Sequence, residues 1–221
     1  MMCCTRYCAA EALFNSKVAK RDLRRYRRRG ADATTRLMLA EIRRLPLEGQ
    51  HLLDVGGGIG VITCELADTR IAGAAIVEAS PAYLEVARQE VGLKYGSRST
   101  QFVLGDFAAI ADTLPDADVV TLDRVVCCYP DAEVLLGAAA ARTRQVLAFT
   151  YPRDLWYVRS MFAFGNFWLW LTGKKFRAFV HAPERMAAVL EAAGLVRATQ
   201  RETFVWMLDV YHRSGARPSV D

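Results

Sequence analysis

A glycine-rich turn holds the residues of this sequence that are best suited to binding a ligand. It reads Asp54-Val55-Gly56-Gly57-Gly58-Ile59-Gly60 and lies between a short apolar run and a helical pattern. Glycines let the backbone turn sharply and let a ligand come close, because no Cβ stands in the way. A carboxylate at Asp54 would repel a pyrophosphate and attract an ammonium group. The turn therefore favours a ligand that carries positive charge near the glycines.

A dinucleotide is the alternative ligand for such a turn. The dinucleotide fingerprint is G-x-G-x-x-G, with the pyrophosphate at the N-terminus of the following helix. Here Gly56 and Gly58 are followed by Gly60, so the third glycine comes one residue too early. This spacing argues against a dinucleotide, but an NAD-binding oxidoreductase stays open as an alternative.

The segments around the turn have the rhythm of an α/β protein. Short apolar runs alternate with helical patterns, which implies crossover connections and a parallel sheet. The runs are apolar throughout, as expected of strands that are covered on both faces. The strands predicted from these runs are 51–55, 74–78, 101–104, 117–122 and 145–150.

The chain divides into an N-terminal extension and one larger domain. Residues 1–45 are predicted to form a tail and a helical cap, and residues 46–221 the main domain. The cap comprises a basic helix over residues 16–29 and a second helix from Asp32 to about Leu45. An aromatic-rich insertion is predicted at residues 152–182, after the fifth strand.

The glycine turn resembles the first motif of class I S-adenosylmethionine-dependent methyltransferases. Other positions of that family's pattern are in register over residues 50–150, beginning with Glu78, 24 residues after Asp54. Asp106-Phe107 follows the third strand and Asp123-Arg124 the fourth. The resemblance implies a Rossmann-like sheet of seven strands, mostly parallel, flanked by helices and closed by an antiparallel hairpin. A weaker resemblance links the chain to bacterial magnesium-protoporphyrin and quinone-pathway O-methyltransferases.

The resemblance also implies the cofactor and the residues that hold it. S-adenosylmethionine would bind and S-adenosylhomocysteine would leave as the product. Asp54 would hold the methionine ammonium, Glu78 the ribose hydroxyls, and Asp106 the adenine amino group. The N-terminal cap would add Tyr26 and Arg29, with Arg29 pairing with the cofactor carboxylate. The other implied cofactor contacts are Gly56, Gly57, Gly58, Ala79, Phe107, Asp123 and Arg124.

Structural roles remain open for the same acids. Asp54 could cap the helix that follows, and Glu78 could serve the ribose of a dinucleotide. Asp106 could be a turn residue, and Asp123 could bond only to backbone amides. Their occurrence together and in order is what favours the methyltransferase reading.

The acceptor of the methyl group is indicated only by class. Methyltransferases that act on amino nitrogens often carry (D/N/S)-P-P-(Y/F/W) after the fourth strand, and here Asp123-Arg124-Val125-Val126 has no proline. We therefore favour oxygen as the acceptor atom of a small, apolar or aromatic metabolite. Seven aromatic residues in the insertion support a planar or apolar acceptor. They are Trp156, Tyr157, Phe162, Phe164, Phe167, Trp168 and Trp170.

The aromatic segment has other interpretations. It could be ordinary core, the interface of a homodimer, or a surface that contacts a membrane through residues 155–175, helped by Arg159, Lys174 and Lys175. Whether the chain is a monomer or a homodimer stays open.

Four residues near strand ends are candidates for a catalytic base. His181 follows the aromatic residues of the insertion, and a histidine pKa suits proton transfer near neutral pH. Tyr129, Tyr151 and Asp154 follow the fourth and fifth strands. Cys127 and Cys128 lie close by, and small apolar filling is their simpler role.

Charge is concentrated in one segment. Residues 17–29 contain eight of the 29 lysines and arginines and one of the 24 acids. A nucleic-acid-binding domain is more often basic over a whole face, which argues against nucleic acid as a partner. An RNA methyltransferase that uses this segment remains an alternative, as does a cofactor-binding partner protein without catalytic activity.

Composition bounds the compartment. The longest uncharged apolar-leaning run, Ser160–Gly173, has 14 residues, whereas a membrane-spanning helix needs roughly 20. Arg6 and Glu11 interrupt the N-terminus, so no signal peptide and a cytoplasmic location are expected. Cys3, Cys4 and Cys8 lack the spacing of a zinc site, and no metal is expected.

Overall fold

A seven-stranded sheet forms the centre of the protein. The computed structural model describes residues 13–95 and 99–215 of the 221-residue chain. The strand order across the sheet is β3-β2-β1-β4-β5-β7-β6. The strands are β1 (His51–Val55), β2 (Gly73–Glu78), β3 (Ser99–Leu104), β4 (Ala117–Leu122), β5 (Thr143–Pro152), β6 (Leu195–Glu202) and β7 (Trp206–Arg213).

The first five strands are parallel, and β7 runs antiparallel between β5 and β6. The chain builds outward from β1 to β3 and then returns to the other side of β1 as β4. The carboxyl ends of β1 and β4 therefore flank the point where the strand order reverses, which is where open α/β sheets bind ligands. The predicted Rossmann-like fold with its closing hairpin is confirmed.

Helices cover both faces of the sheet. Strand β4 is buried along its whole length, and β1 is buried after His51, as the uniformly apolar runs predicted. The two faces are lined by separate apolar clusters. The helices are α1 (Ser16–Arg29), α2 (Ala33–Ile42), α3 (Val61–Glu65), α4 (Pro81–Tyr95), α5 (Phe107–Ile110), α6 (Ala132–Arg142), α7 (Trp156–Leu171) and α8 (Pro183–Ala192).

The N-terminal helices begin where the sequence signals place them, and the first also ends there. The Asn15 side chain caps α1 by accepting from the backbone N–H groups of Lys17 and Val18, and Gly30 ends the helix at φ +70°. Asp32 caps α2 in the same way. The predicted helix from Asp32 to Leu45 stops earlier, because residues after Ile42 make tighter turns.

The helix after the glycine turn is short. Helical periodicity in the sequence extends from Ile59 to Thr69, whereas α3 ends at Glu65. The Thr69 hydroxyl donates to the Leu66 carbonyl at 2.7 Å, and Arg70 takes a left-handed conformation at φ +59°. This turn directs the chain into β2 sooner than a full-length helix would.

The aromatic segment after β5 is a helix that lies on the surface. Within α7, Val158 is buried and most other side chains are exposed. Among the described residues, no helix is both long and apolar enough to cross a membrane.

Candidate functional site

A cavity of about 300 Å³ lies at the carboxyl ends of β1 and β4, beneath α1 and the start of α2. The glycine turn forms its floor, and the N-terminal cap forms its roof. Its lining contains acids and arginines together, which suits a ligand with both charges. The charged lining residues are Arg21, Asp22, Arg25, Asp32, Asp54, Asp123 and Arg124.

Side chains would not fit in the glycine turn. Gly56 and Gly58 have φ values of +62° and +58°, a region that glycine adopts without strain. A Cβ at Gly57 would lie 2.7 Å from Asp54 Oδ2, and one at Gly56 would lie 2.4 Å from Val125. The turn therefore keeps the backbone close to both the Asp54 carboxylate and the loop after β4.

Asp54 is a buried acid with an unused oxygen. Its Oδ1 accepts a 2.8 Å hydrogen bond from the Thr121 hydroxyl, while Oδ2 has no partner among the described residues. Burial, reinforced by the carboxylates of Asp123 and Glu78, raises the pKa of Asp54 to about 7. A buried carboxylate oxygen without a donor is costly, and an ammonium group would satisfy it.

Glu78 ends β2 and holds the glycine turn. Its two oxygens accept from the backbone N–H groups of Gly58 at 3.0 Å and Ser80 at 2.7 Å. Burial raises the pKa of Glu78 above its ordinary value. Each carboxylate oxygen can accept a further bond, so both remain able to bind hydroxyl groups. Ala79 stands beside it at the start of the connection to α4.

Asp106 caps α5 and is bonded to Tyr129. Its Oδ1 accepts from the backbone N–H of Ala108 at 3.2 Å and from the Tyr129 hydroxyl. Burial and the bond to Asp106 raise the pKa of Tyr129 well above its usual range. Phe107, expected against a ligand ring, is 2% exposed and belongs to the apolar core behind the loop.

Asp123 and Arg124 join the sheet to the N-terminal cap. Asp123 accepts from the hydroxyls of Thr35 at 2.5 Å and Thr150 at 2.8 Å. The Arg124 guanidinium lies 2.5 Å from Asp32, the residue that caps α2. Although burial alone would raise it, Arg124 and Thr35 hold the pKa of Asp32 below its usual value. This pair fixes the roof of the cavity to the loop after β4.

One face of α1 supplies the cavity with cations. Arg21 and Arg25 line the cavity, one helical turn apart, and Arg29 on the same face lies beyond the lining. Tyr26 also lines the cavity, but its hydroxyl bonds to Glu65 and Lys94, each at 2.6 Å. The spacing of arginines at every fourth position could have indicated Arg21 and Arg25, which the sequence reasoning passed over. It also missed Asp32 and Thr35, whose polar types gave no signal beyond capping.

The four candidates for a catalytic base lie in different surroundings. His181 is half-buried, and its Nε2 lies 2.8 Å from the Tyr129 carbonyl oxygen. Tyr151 is in the core, 1% exposed, with its hydroxyl donating to Asp209 at 3.1 Å. Asp154 forms an ion pair with Arg159, which lowers the pKa of its carboxyl group. None of the four lines the cavity.

The cysteines after β4 form no metal site with other described residues. The sulfur atoms of Cys127 and Cys128 are 3.9 Å apart, and the hydrogen bond with Cys128 together with burial raises the pKa of Cys127. In the described part of the chain, no group of three or more histidines, cysteines and acids is placed to hold a metal. Cys3, Cys4 and Cys8 lie outside the described residues.

The sheet and the cavity together define a class. A seven-stranded sheet with an inserted antiparallel strand, a glycine turn at its switch point and a buried acid beside it are those of a class I S-adenosylmethionine-dependent methyltransferase. The sequence model of the O-methyltransferase domain matches residues 8–139. The chain belongs to this family. The family match confirms the predicted class of activity, methyl transfer, and its cofactor, S-adenosylmethionine.

Solved structures share the fold at low sequence identity. Magnesium protoporphyrin IX methyltransferase from Synechocystis PCC 6803, crystallised with S-adenosylhomocysteine, is 18% identical, with a TM-score of 0.73 over 93% of this chain and 98% of that chain. An O-methyltransferase family 2 protein from Planctomyces limnophilus, in complex with apigenin, is 18% identical, with a TM-score of 0.59 over 83% of this chain and 62% of that one. No curated protein matches the chain.

Proposed function

We propose that this chain transfers a methyl group from S-adenosylmethionine to an oxygen of a small, apolar or aromatic metabolite. The observation that carries the proposal is the buried Asp54 carboxylate, whose Oδ2 is unpartnered among the described residues in a cavity roofed by α1. The bound cofactor would supply a methyl group on a positively charged sulfur. Much of the rate can come from holding the reacting atoms in line.

The geometry of the site supports an assignment of the cofactor contacts. Asp54 Oδ2 would accept from the methionine ammonium, and the Glu78 carboxylate would accept from the ribose hydroxyls. Both bonds of Asp106 go to Oδ1, which leaves Oδ2 for the adenine amino group. For the cofactor carboxylate we choose Arg25 in place of Arg29, because Arg25 lines the cavity and Arg29 lies beyond its lining.

A small acceptor fits the way the N-terminal cap is anchored. Arg27 of the basic segment pairs with the buried Glu90 at 2.6 Å, and Tyr26 is bonded to Glu65 and Lys94. These contacts hold α1 against the domain as a roof. The family match favours oxygen, and the apigenin and protoporphyrin neighbours support a planar acceptor.

His181 is the base that we propose for an acceptor hydroxyl. A carbonyl oxygen only accepts, so the contact with Tyr129 puts the proton on Nε2 and leaves Nδ1 with a free lone pair. Tyr129 itself donates to Asp106, so it is a poor acceptor for a proton. We expect His181→Gln to lower kcat with unchanged cofactor affinity, because the amide cannot take the proton of an acceptor hydroxyl.

Calorimetric titration tests the cofactor first. S-adenosylmethionine and S-adenosylhomocysteine should bind at micromolar concentrations, NAD should not compete, and Glu78→Gln should weaken binding. Binding of NAD in place of both compounds would overturn the proposal.

The acceptor is tested with radiolabelled S-adenosylmethionine and a panel of phenols, carboxylic acids, amines and RNA. Label should appear on phenols or acids and be absent from RNA. Transfer to RNA alone, lost on changing Arg24 and Arg28 to Glu, would support the nucleic-acid alternative.

A further inference from the structure

Helix α7 exposes a row of side chains along one face, and all but one of them are apolar. Residues at positions i, i+4, i+8, i+11 and i+15 share one face of a helix. On α7 they are Trp156, Ser160, Phe164, Phe167 and Leu171, and we call this surface the α7 outer face. Trp156 is 80% exposed and Phe164 68%. Exposed apolar surface of this extent marks an interaction site.

The opposite face of α7 fixes which way the outer face points. Val158 is buried, and Phe162 packs against Trp206 with ring centroids 6.3 Å apart. Asn166 exchanges two hydrogen bonds with the backbone of Ala178, at 2.7 and 2.9 Å. These contacts therefore explain the inner row, and among the described residues they leave the outer face without a packing role.

The charged residues of segment 155–182 are all positive, and Asp154, just before it, is paired with Arg159. Residues 155–182 contain no Asp or Glu, and Arg159, Lys174, Lys175 and Arg177 are their basic residues. Lys174 and Lys175 are exposed directly after the helix. Each such cation near an anionic membrane surface strengthens attachment. Tryptophans suit the same boundary, because one end of the indole is apolar and the other can donate a hydrogen bond.

We propose that the α7 outer face, with Lys174 and Lys175, docks on the surface of an anionic lipid bilayer. The helix has 16 residues and would lie in the plane of the membrane, with its aromatic side chains in the headgroup region. A second copy of the chain is a poorer partner. A two-fold contact would bring the same cationic segments together without an acid in either.

Docking would place the membrane beside the acceptor side of the site. The segment after α7 is bonded to the loop after β4, through Phe179 N–H to the Cys127 carbonyl at 2.8 Å and through His181 to Tyr129. That loop also carries Asp123 and Arg124 of the cavity. An apolar acceptor dissolved in the bilayer would thus be close to where it is methylated, a step that rests on the proposed function.

Vesicle flotation with the full chain, without cofactor or acceptor, tests the docking. Vesicles of phosphatidylcholine are compared with vesicles of phosphatidylcholine and anionic phosphatidylglycerol. We expect binding to the anionic vesicles, at least about tenfold weaker binding to the neutral ones, and weakening by salt. The paired change Phe164→Ser and Phe167→Ser should lower the partition coefficient at least about tenfold.

Matched variants separate this surface from general stickiness or charge. Leu93→Ser removes an apolar side chain that is 75% exposed on α4 and should bind vesicles as the unaltered chain does. Lys174→Glu with Lys175→Glu should abolish the preference for anionic vesicles. Arg24→Glu with Arg28→Glu, in the more basic α1, should leave that preference in place.

Two results would overturn the proposal. The first is that the unaltered chain binds neither kind of vesicle, or that the variant with Phe164→Ser and Phe167→Ser binds vesicles as tightly as the unaltered chain does. The second is that sedimentation shows a dimer in solution that the serine variants dissociate. Titration with S-adenosylhomocysteine on the same samples keeps the two proposals apart, because its failure would count against the proposed function alone.

Discussion

Helices α1 and α7 are attached to the domain in different ways. The buried side chains of Ala19 and Tyr26 anchor α1, and polar bonds add to them: Arg27 pairs with Glu90 at 2.6 Å, and Asp22 accepts from the Tyr83 hydroxyl at 2.5 Å. One row of side chains holds α7, through the rings of Phe162 and Trp206 and the hydrogen bonds of Asn166, and its other face is exposed. The polar helix has its partners within the chain, whereas the apolar helix presents most of its aromatic surface outward.

This difference shows that composition alone misleads about where a partner lies. A run of arginines suggests an external polyanion, and a run of aromatics suggests a core. In this protein the arginine-rich helix roofs an internal cavity, and the aromatic-rich helix faces solvent. The contacts made by each helix, and not its residue types, indicate its partner.

Asp54→Asn should give the largest effect and tests the polar side of the comparison. The amide keeps the shape but loses the charge that faces the cofactor ammonium, so affinity for S-adenosylhomocysteine should fall about 100-fold. Asp118→Asn, at the other end of β4, is the matched control and should bind normally. Equal affinity of Asp54→Asn and the unaltered chain would show that the cavity does not use this acid.

The pH dependence of the same acid sharpens the prediction. The pKa of Asp54 is about 7 in the folded chain and near 4 when unfolded, so the folded state holds the extra proton between these values. Stability of the unliganded chain should therefore fall as the pH rises from 4 to 7, by on the order of 4 kcal/mol, relative to Asp54→Asn. Affinity for S-adenosylhomocysteine should rise about tenfold from pH 6 to pH 8. Urea unfolding gives the stability and calorimetry gives the affinity at each pH. The same pH dependence in the unaltered chain and in Asp54→Asn would contradict this prediction.

Asp32→Ala removes the ion pair that connects the start of α2 to the loop after β4. It deletes the cap of α2 and the partner of Arg124, which should cost about 2 kcal/mol of unfolding free energy and weaken cofactor binding. Asp131→Ala removes the cap of α6, away from the cavity, and should cost about 1 kcal/mol with normal binding. Both variants are measured by urea unfolding and by calorimetry with S-adenosylhomocysteine. Normal binding by Asp32→Ala would show that its contacts do not support the cofactor site.

Arg25→Ala tests which cation of α1 faces the ligand. Loss of a charge-assisted bond to the cofactor carboxylate should lower affinity about tenfold. Arg29→Ala, one turn further along the same face, serves as the control and should change little. The reverse order of effects would favour the residue that the family resemblance suggested.

Phe164→Ser should give the smallest effect on stability, because the side chain is exposed. We expect the unfolding free energy to change by less than about 0.5 kcal/mol. Val158→Ala, on the buried face of the same helix, should cost about 2 kcal/mol. A large loss of stability in Phe164→Ser would mean that the outer face packs within the chain after all.

Much of the site could be predicted from where strands end. The run 51–55, its glycines, and Glu78 at the end of β2 are local patterns whose chemistry depends on neighbouring residues in sequence. Parallel pairing then brings Asp54 opposite Thr121 of β4. Local sequence patterns and sheet topology were therefore sufficient to predict the positions of the glycine turn, Asp54 and Glu78.

The positions of the other candidate residues depend on contacts between segments that are distant in sequence. Tyr151 lies at a strand end, as a site residue would, yet the pairing with β7 places its side chain beside Asp209 in the core. Arg21, Arg25 and Arg29 share a face, and only the docking of α1 decides which of them reach the cavity. The sequence also could not indicate which face of α7 is exposed, because apolar residues occur on both faces of the helix.

Hydrogen exchange measured with and without S-adenosylhomocysteine tests the central claim that α1 and the glycine turn enclose the cofactor. We predict that the ligand slows exchange in peptides from residues 16–32 and 54–60 and leaves α7 unchanged. Anionic vesicles should do the reverse, slowing α7 and sparing α1. Ligand protection on α7 without protection on α1 would contradict the account.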